Sequence, residues 1–349
     1  MIFHRTCNVV AIAISFFLLA ACTDNRPTTV DDPDSWRHDL ATVAKPWTNE
    51  DFDAGEDKFT FAVFSDLTGG EREHIFEIAV AQLALLRPEL IMSVGDLIEG
   101  GTTDRDQLTR EWDSFDARAN QASAPVFRVG GNHDLTHIIM REFWEQRFGA
   151  RYYHFVYKNV LFLILDTEDY ALDRMQEIFV AREEAVAIAE RDGWDAFAQT
   201  QYVAMPENRA GTIGAEQSAY LQQAIADNAD VRWTFVFLHK APWLVEGEEH
   251  FAAIESALAD RPYTVFHGHE HNYLHEERLG RDYIQLGTTG GVQNVNNEMA
   301  IDHVTMVTVS ETGVDIANLR MSGIFDKAGH IPLGGDSICF DASNCAGPD

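Results

Sequence analysis

Five separate hydrophobic segments of this 349-residue chain end at Asp, Asn or His, and this repetition constrains the fold more than any other feature. Each segment is short enough for a β-strand, and a helical pattern follows each of the first three. Because ligands of α/β proteins gather beyond the carboxyl ends of strands, we expect the residues at these ends to form one site. In chain order they are Asp66, Asp96, Asn132 with His133 and Asp134, His239, and His269 with His271.

Predicted strands and helices alternate along most of the chain, which indicates the α/β class. The first half contains predicted strands at 58–65, 90–94 and 126–129 and predicted helices at 71–86, 104–119 and 136–148. The second half contains a predicted hairpin at 152–157 and 160–166, helices at 172–197 and 214–228, strands at 233–238 and 264–266, and antiparallel strands to about residue 319. With 46% hydrophobic residues, the chain can bury a large core.

The side chains at the strand ends are carboxylates, an amide and imidazoles, without a thiolate. Such ligands suit borderline to hard cations such as zinc, iron or manganese. Taken alone, Asp66 or Asp96 would be an ordinary helix N-cap, and His239 a hydrogen-bonded core residue. Because five strand ends all present such residues, the pattern indicates a metal site instead.

Two motifs in this series are specific, namely Gly131-Asn132-His133-Asp134 and Gly268-His269-Glu270-His271. With Asp66, the Gly95-Asp96-x-x-Glu99 segment and His239, they resemble the calcineurin-like metallophosphoesterase superfamily from about residue 58 to residue 319. The resemblance implies an α/β fold built as a two-sheet β-sandwich flanked by helices. It also implies a metallophosphoesterase domain that we place at 58–325.

The resemblance implies a site for two divalent or trivalent ions, which would be zinc, iron or manganese. Asp96 would bridge the two ions. The other ligands would be Asp66 and His271 for the first ion and Asn132, His239 and His269 for the second. Two such ions would activate a water for in-line attack on phosphorus, and they would attract an anionic substrate into an acidic protein.

His133 and Asp134 are the catalytic residues that the resemblance implies. His133 would protonate the leaving group or contact the phosphate, and Asp134 would orient it. The predicted activity is hydrolysis of a phosphomonoester or phosphodiester, so the expected partner is a small phosphorylated substrate. The alternative is a lipoprotein that keeps the fold and binds metal without turnover.

The chain departs from the family at Thr68, because the first motif of the family is Asp-x-His and this chain has Asp66-Leu67-Thr68. Two alternatives stay open. Either Thr68 caps the following helix and water takes the vacant coordination position, or its hydroxyl is itself a ligand. In both cases we expect the first metal to bind more weakly.

Gly69, Gly70 and Arg72 follow at the predicted start of a helix. With Thr68, they are candidates for substrate binding, because exposed amides and an arginine at a helix start can hold a phosphate. The alternative is an ordinary glycine turn beside a solvated arginine.

Residues 1–21 have the parts of an export signal, with an apolar run from Val9 to Ala21. The ending Leu19-Ala20-Ala21 before Cys22 resembles a bacterial lipobox, which implies acylation of Cys22 and a lipid anchor. Thr23 then favours the outer membrane. The alternatives are a simple signal peptide that leaves Cys22 free and an uncleaved anchor, and both place the protein outside the cytoplasm. Residues 22–57 are predicted to form an acidic tether.

The formal net charge is −30, from 26 basic and 56 acidic residues. A field of that sign repels polyanions, so we expect no binding to nucleic-acid duplexes.

Residues 326–349 form a predicted C-terminal tail. Its Cys339 and Cys345 could close a disulfide in an exported protein, with free thiols as the alternative.

Overall fold

The computed structural model describes residues 46–48, 55 and 57–345. The predicted signal peptide, Cys22 and most of the predicted tether lie outside the described residues. Among the helices of the described part, none combines the length and the apolar character needed to cross a membrane.

Within the described residues, strands and helices alternate through most of the chain. The strands are β1 (Phe59–Phe64), β2 (Leu90–Ser93), β3 (Val126–Phe127), β4 (Tyr153–Tyr157), β5 (Val160–Ile164), β6 (Trp233–Phe237), β7 (Tyr263–His267), β8 (Leu274–Arg278), β9 (Arg281–Gln285), β10 (His303–Ser310) and β11 (Gly313–Arg320). The helices are α1 (Ile75–Leu86), α2 (Arg105–Ala119), α3 (Asn132–Leu135), α4 (Ile138–Phe148), α5 (Leu172–Asp192), α6 (Trp194–Phe197), α7 (Gln201–Ala204), α8 (Ala215–Asp227), α9 (Glu249–Leu258) and α10 (Ala342–Cys345).

The strands form two mixed sheets, which confirms the predicted two-sheet architecture. The first sheet has the order β11-β10-β1-β2-β3, and the second has the order β4-β5-β6-β7-β9-β8. The strands that lead into the predicted ligands are parallel within each sheet: β1, β2 and β3 in the first, β6 and β7 in the second. Their carboxyl ends therefore point to one edge of each sheet.

The core lies in layers that follow the alternation of side chains along β1. Phe61 and Val63 face the second sheet, where the ring of Phe61 contacts Phe162 at 5.3 Å and Phe235 at 4.9 Å between centroids. Phe64, on the other face of β1, packs against Phe76 of α1 at 5.2 Å. Each buried phenylalanine contributes about 1.5–3 kcal/mol of burial free energy, so this aromatic layer holds the two sheets together.

Apart from the short helices α3, α6, α7 and α10, the structure differs from the predicted elements in three places. Helix α1 begins at Ile75 rather than at residue 71, because Gly69 and Gly70 have φ of 77° and 91° and keep the preceding segment a loop. Helix α9 was not predicted. Strand β9 pairs in parallel with β7, whereas the sequence predicted only antiparallel strands in that region.

Candidate metal centre and catalytic site

All the predicted ligands lie at the strand ends, and their candidate ligand atoms fall into two groups. One group is Asp96, His239 and His269, and the other is Asp66, Asp96 and His271; within each group the atoms lie within 4.8 Å of one another. Asp96 belongs to both groups, as a bridging carboxylate must. The structure thus brings the ends of β1, β2, β6 and β7 to one centre.

Asn132, at the end of the loop after β3, joins the group that contains His239. Its Oδ1 atom lies 3.1 Å from His239 Nε2, which in turn lies 3.1 Å from Asp96 Oδ2. An amide oxygen, an imidazole nitrogen and a carboxylate oxygen therefore face the same point. This set of donors fits a borderline cation such as zinc, iron or manganese.

Backbone carbonyls fix the ring orientation of the three candidate histidine ligands. His239 Nδ1 donates to Val94 O at 2.9 Å, His269 Nε2 to Asn208 O at 2.7 Å, and His271 Nδ1 to Val292 O at 2.7 Å. Because a carbonyl oxygen only accepts, the bonded nitrogen of each ring carries a proton, which leaves the other nitrogen as the candidate ligand atom. Metal-ligating histidines in proteins are held in this way, so the site fits a metal ion.

The electrostatics of the centre also fit a cation. Burial opposes ionisation of Asp96, but the charge and hydrogen bond of His239 hold the pKa of this carboxyl well below its usual value. Burial likewise opposes ionisation of Asp66, and the hydrogen bond from His271 lowers its pKa. Burial and the positive charge of Lys240 hold the pKa of His269 well below its usual value, so this ring is neutral. Despite burial, Asp96 raises the pKa of His239 to about 9, and Asp66 raises the pKa of His271. A bound cation would take the place of the proton that each of these two rings shares with its carboxylate.

Three candidate ligands have a backbone in the left-handed region, where residues other than glycine are uncommon. The φ angles are 54° for Asp96, 77° for His269 and 54° for His271. Such conformations cost free energy and cluster at functional sites. In these loops, the left-handed conformations turn the ligand side chains toward the centre.

His133 lies beside the two groups, with its ring nitrogen Nε2 on the side of a large cavity. Its Nδ1 donates to Glu99 O at 2.7 Å, so Nε2 is free to exchange a proton. Its backbone nitrogen donates to Asp96 Oδ1 at 2.8 Å, which ties His133 to the bridging carboxylate. The ring is placed to act as an acid toward a ligand in the cavity.

Asp134 does not orient His133, and this part of the prediction was wrong. Its carboxylate accepts from the backbone nitrogens of Gly131 at 2.8 Å and of Leu97 at 3.0 Å, with Ile98 at 3.2 Å. The reason is local, because Asp134 is the third residue of α3 and its side chain turns back toward the helix start. Asp134 therefore joins the loop after β2 to the loop after β3, and the carbonyl of Glu99 orients His133.

Thr68 is buried, and its hydroxyl donates to the backbone oxygen of Asp96. It does not cap α1, which begins seven residues later, after His74. Gly69, which follows it, lies between two functional rings: a β-carbon there would lie 3.2 Å from His271 Cε1 and 3.6 Å from His133 Nε2. Only glycine leaves this space open.

The other two candidates for substrate binding have partners within the protein. Gly70 donates its backbone nitrogen to Glu99 Oε1 at 3.0 Å, although it borders the cavity. Arg72 donates to Asp302 Oδ1 at 2.6 Å and to Gly291 O at 3.0 Å, and it does not line the cavity. The structure therefore gives Arg72 a role in holding the loop around Gly291 rather than a substrate.

Cys339 and Cys345 form a disulfide in the C-terminal tail, and the tail packs behind the site. Phe340 O accepts from Asp302 N at 2.9 Å and from Gln293 Nε2 at 3.1 Å. Gln293 follows Val292, whose carbonyl fixes His271. The tail thus supports the loop that orients one candidate ligand.

A cavity of about 940 Å³ lies over the centre. Its floor includes Asp96, Asn132, His133, His269 and His271, and the segment from α5 to α7 adds Arg182, Val186, Trp194, Phe197 and Tyr202 to its lining. These five residues were not predicted from the sequence. They carry no motif, and only their helical spacing, such as Arg182 and Val186 four residues apart, could have placed any of them on one face.

The two sheets and the ligand groups at their strand ends form one candidate metal centre. Residues 59–273 match the calcineurin-like phosphoesterase family, and since this is more than half of the chain, the protein belongs to that family. The match confirms the family resemblance predicted from the motifs. No match was found among curated proteins.

Solved structures of similar fold have low sequence identity to this chain. A dimetal phosphatase from Danio rerio is 15% identical with a TM-score of 0.49, covering 75% of this chain and 98% of that one. GAP50, the anchor in the inner membrane complex of Plasmodium, is 12% identical with a TM-score of 0.48, covering 79% and 87%. A purple acid phosphatase from yellow lupin (Lupinus luteus) seeds is 13% identical with a TM-score of 0.48, covering 77% and 53%.

Proposed function

We propose that the protein hydrolyses a phosphomonoester or phosphodiester with two bound metal ions. These ions are divalent or trivalent, and the candidate metals are zinc, iron and manganese. The observation that carries the proposal is the place of Asp96 in both ligand groups, at the floor of a cavity large enough for a small substrate. Two cations bound there would lower the pKa of a shared water and neutralise the charge of the phosphoryl oxygens.

The residues of the chain have separate tasks in this proposal. Asp66, Asp96 and His271 hold the first ion, and Asp96, Asn132, His239 and His269 hold the second. The backbone carbonyls behind the three imidazoles keep the ligands in place when substrate binds. His133 acts in its doubly protonated form, in which Nε2 gives its proton to the oxygen of the leaving group while Nδ1 stays bonded to Glu99 O. Burial lowers the pKa of this ring in the free protein, so the negative charge of a bound phosphate would be needed to favour that form.

The proposal is tested by assaying the purified protein, loaded separately with zinc, manganese or iron, on a panel of phosphomonoesters and phosphodiesters. Asp96→Asn should lose both ions and all hydrolysis, because it changes the carboxylate that belongs to both groups. Asp282→Asn is the matched control, since Asp282 is an exposed carboxylate that pairs with His275 at 2.7 Å. Full activity of Asp96→Asn, or of the wild type after chelation, would overturn the proposal.

A metal-binding lipoprotein without turnover is the second candidate function. The observation in its favour is that Thr68 stands where the family has a histidine ligand. Its hydroxyl donates to the backbone oxygen of Asp96 instead. This candidate predicts one bound ion and no hydrolysis with any metal. The same assay separates the two functions.

We also propose that the protein is exported and held on a bacterial membrane, with the outer membrane favoured, by acylation of Cys22. The lipobox-like ending before Cys22 supports this. Cys22→Ser should move the protein from the membrane fraction to the soluble fraction. Unchanged attachment of this variant would contradict the anchor.

A further inference from the structure

We propose that Arg182 makes the site select phosphomonoesters, by binding the phosphoryl oxygen that in a diester carries the second ester group. The inference rests on the proposed phosphoesterase function. It deepens that function by choosing between its two substrate classes, and it concerns a residue outside the motifs that define the metal centre.

Arg182 is a positively charged side chain beside the catalytic histidine. It lies on α5, and its Nη2 atom is 3.4 Å from His133 Nε2 and 3.5 Å from His133 Nδ1. Because Nδ1 already donates to Glu99 O, Nε2 is the nitrogen that can exchange a proton with a ligand, and the guanidinium lies beside it. A phosphoryl group whose leaving oxygen reaches His133 therefore also lies within reach of Arg182.

The backbone of Gly101 makes room for this guanidinium. A β-carbon on Gly101 would overlap Arg182 Nη1, so any larger residue would push the arginine away from His133. Gly101 also has a φ of 57°, in the left-handed region that glycine adopts without strain. The loop after β2, which carries Asp96, thus accommodates an arginine from a helix more than eighty residues later.

Within residues 57–345, Arg182 has no acidic partner to neutralise it. No carboxylate of the described part of the chain lies within salt-bridge distance of the guanidinium. Its one possible acceptor there is His133 Nε2, at a long 3.4 Å, because His133 Nδ1 is itself a donor. In a protein with 56 acidic and 26 basic residues, an unpaired, half-buried arginine at the wall of a cavity is available to an anion. A guanidinium presents its donors as a fork that matches two oxygens of a phosphate.

The two substrate classes differ in the group that would face this fork. A phosphomonoester carries close to two negative charges near neutral pH, because its second pKa is about 6, and it has three terminal oxygens. A phosphodiester has one negative charge, and an ester substituent replaces one of those oxygens. A charged donor placed for the third oxygen therefore stabilises a bound monoester and has no equivalent partner in a diester.

The experiment compares Arg182→Gln with the wild type on a matched pair, p-nitrophenyl phosphate and bis(p-nitrophenyl) phosphate. The wild type should prefer the monoester. Arg182→Gln should lower kcat/KM on the monoester on the order of 10- to 100-fold, the usual effect of a charge-assisted hydrogen bond, and change the diester by less than about 3-fold. Arg182→Lys should lie between them, because it keeps the charge and loses the fork.

Two further measurements separate substrate binding from a structural effect. The inhibition constant of inorganic phosphate should rise in Arg182→Gln by a factor similar to the monoester loss, while metal content and Tm stay unchanged. Arg191→Gln is the matched control, since Arg191 is an exposed residue of the same helix and pairs with Asp192. It should change none of these values.

The outcomes distinguish this inference from the proposed function. If the wild type hydrolyses neither substrate with any metal, the proposed function fails and the selectivity fails with it. If the wild type is active but prefers the diester, or if Arg182→Gln lowers kcat/KM equally for both substrates, only the assignment of Arg182 is overturned. An unchanged inhibition constant for phosphate would overturn it as well.

Discussion

Thr68 donates its hydroxyl to the backbone oxygen of Asp96, 3.2 Å away, so the residue that stands where the family has a histidine ligand holds the backbone of the bridging carboxylate. Leu67 N donates to the same oxygen at 3.0 Å. Together they fix the loop after β1 to the loop after β2. The first ligand group is left with Asp66, Asp96 and His271.

This relationship predicts unequal metal sites. The dialysed protein should hold one ion tightly and a second loosely, and activity should rise when divalent cation is added back. Thr68→Val should leave both affinities unchanged and cost about 1 kcal/mol of unfolding free energy, because it removes a buried hydrogen bond without removing a ligand. Metal analysis and calorimetric titration measure the affinities. Two equally tight ions in the wild type, or a lost ion in Thr68→Val, would show that Thr68 is a ligand.

His133→Ala should retain both ions and slow hydrolysis on the order of 10²- to 10⁴-fold, the usual contribution of a general acid. The structural reason is that its ring bonds to Glu99 O and faces the cavity, while the ligand groups are formed by other residues. His275→Ala, at an exposed histidine paired with Asp282, is the control. Loss of metal from His133→Ala would mean that the ring is a ligand.

The disulfide predicts a link between the C-terminal tail and the first ion. Replacing Cys339 and Cys345 by serine should lower the unfolding free energy by about 2 kcal/mol, at the lower end for a disulfide because the closed loop is short. The replacement should also lower the affinity for the first ion more than that for the second, because Phe340 and Gln293 support the loop that orients His271. Reduction of the wild type should have the same effects. Equal affinities before and after reduction would refute the link.

Buried His303 predicts a loss of stability in acid. Burial, with a smaller contribution from Arg320, lowers the pKa of His303 from 6.5 to about 4, and its Nε2 accepts from Gly287 N at 2.9 Å. Below pH 6.5 the unfolded chain binds a proton at this residue and the folded protein does not. Stability is therefore full above about pH 6.5 and falls as the pH drops toward 4.

His303→Gln keeps an acceptor for Gly287 N and does not titrate. When the pH is lowered from about 7 to about 5, the free energy of unfolding of His303→Gln should rise by about 2 kcal/mol relative to that of the wild type, since each pKa unit is worth about 1.4 kcal/mol. Urea unfolding at the two pH values measures this, and the contributions of all other groups cancel in the difference. His275→Gln, at an exposed site, should show no such gain. A constant difference between His303→Gln and wild type would contradict the prediction.

The strand ends could be predicted from the sequence because each ligand directly follows a hydrophobic run, and the direction of parallel strands then brings the ends together. The role of Asp134 could not be predicted, because two of the backbone nitrogens that donate to its carboxylate, those of Leu97 and Ile98, come from the loop after β2. The start of α1 was misplaced because the positive φ angles of Gly69 and Gly70 are a property of the folded loop.

Arg182 could not be predicted for a different reason. It reaches His133 only because α5 folds back over the loop after β2 and because Gly101 lacks a side chain. Both are tertiary facts without a local pattern. The sequence suggested Arg72 for substrate binding, but Arg72 pairs with Asp302, more than two hundred residues away in the chain.

The position of β1 between β2 and β10 sets the order in which the protein can assemble. Phe59 pairs with Val309 across 250 residues of sequence, so the strand that leads into Asp66 gains its second neighbour only when almost the whole chain is present. Pairing of such high contact order makes folding slow. A fragment limited to residues 59–273 would contain the family motifs and yet leave β1 as an open edge, ready to pair with another chain. We therefore expect that the segment that matches the family does not form a stable unit by itself.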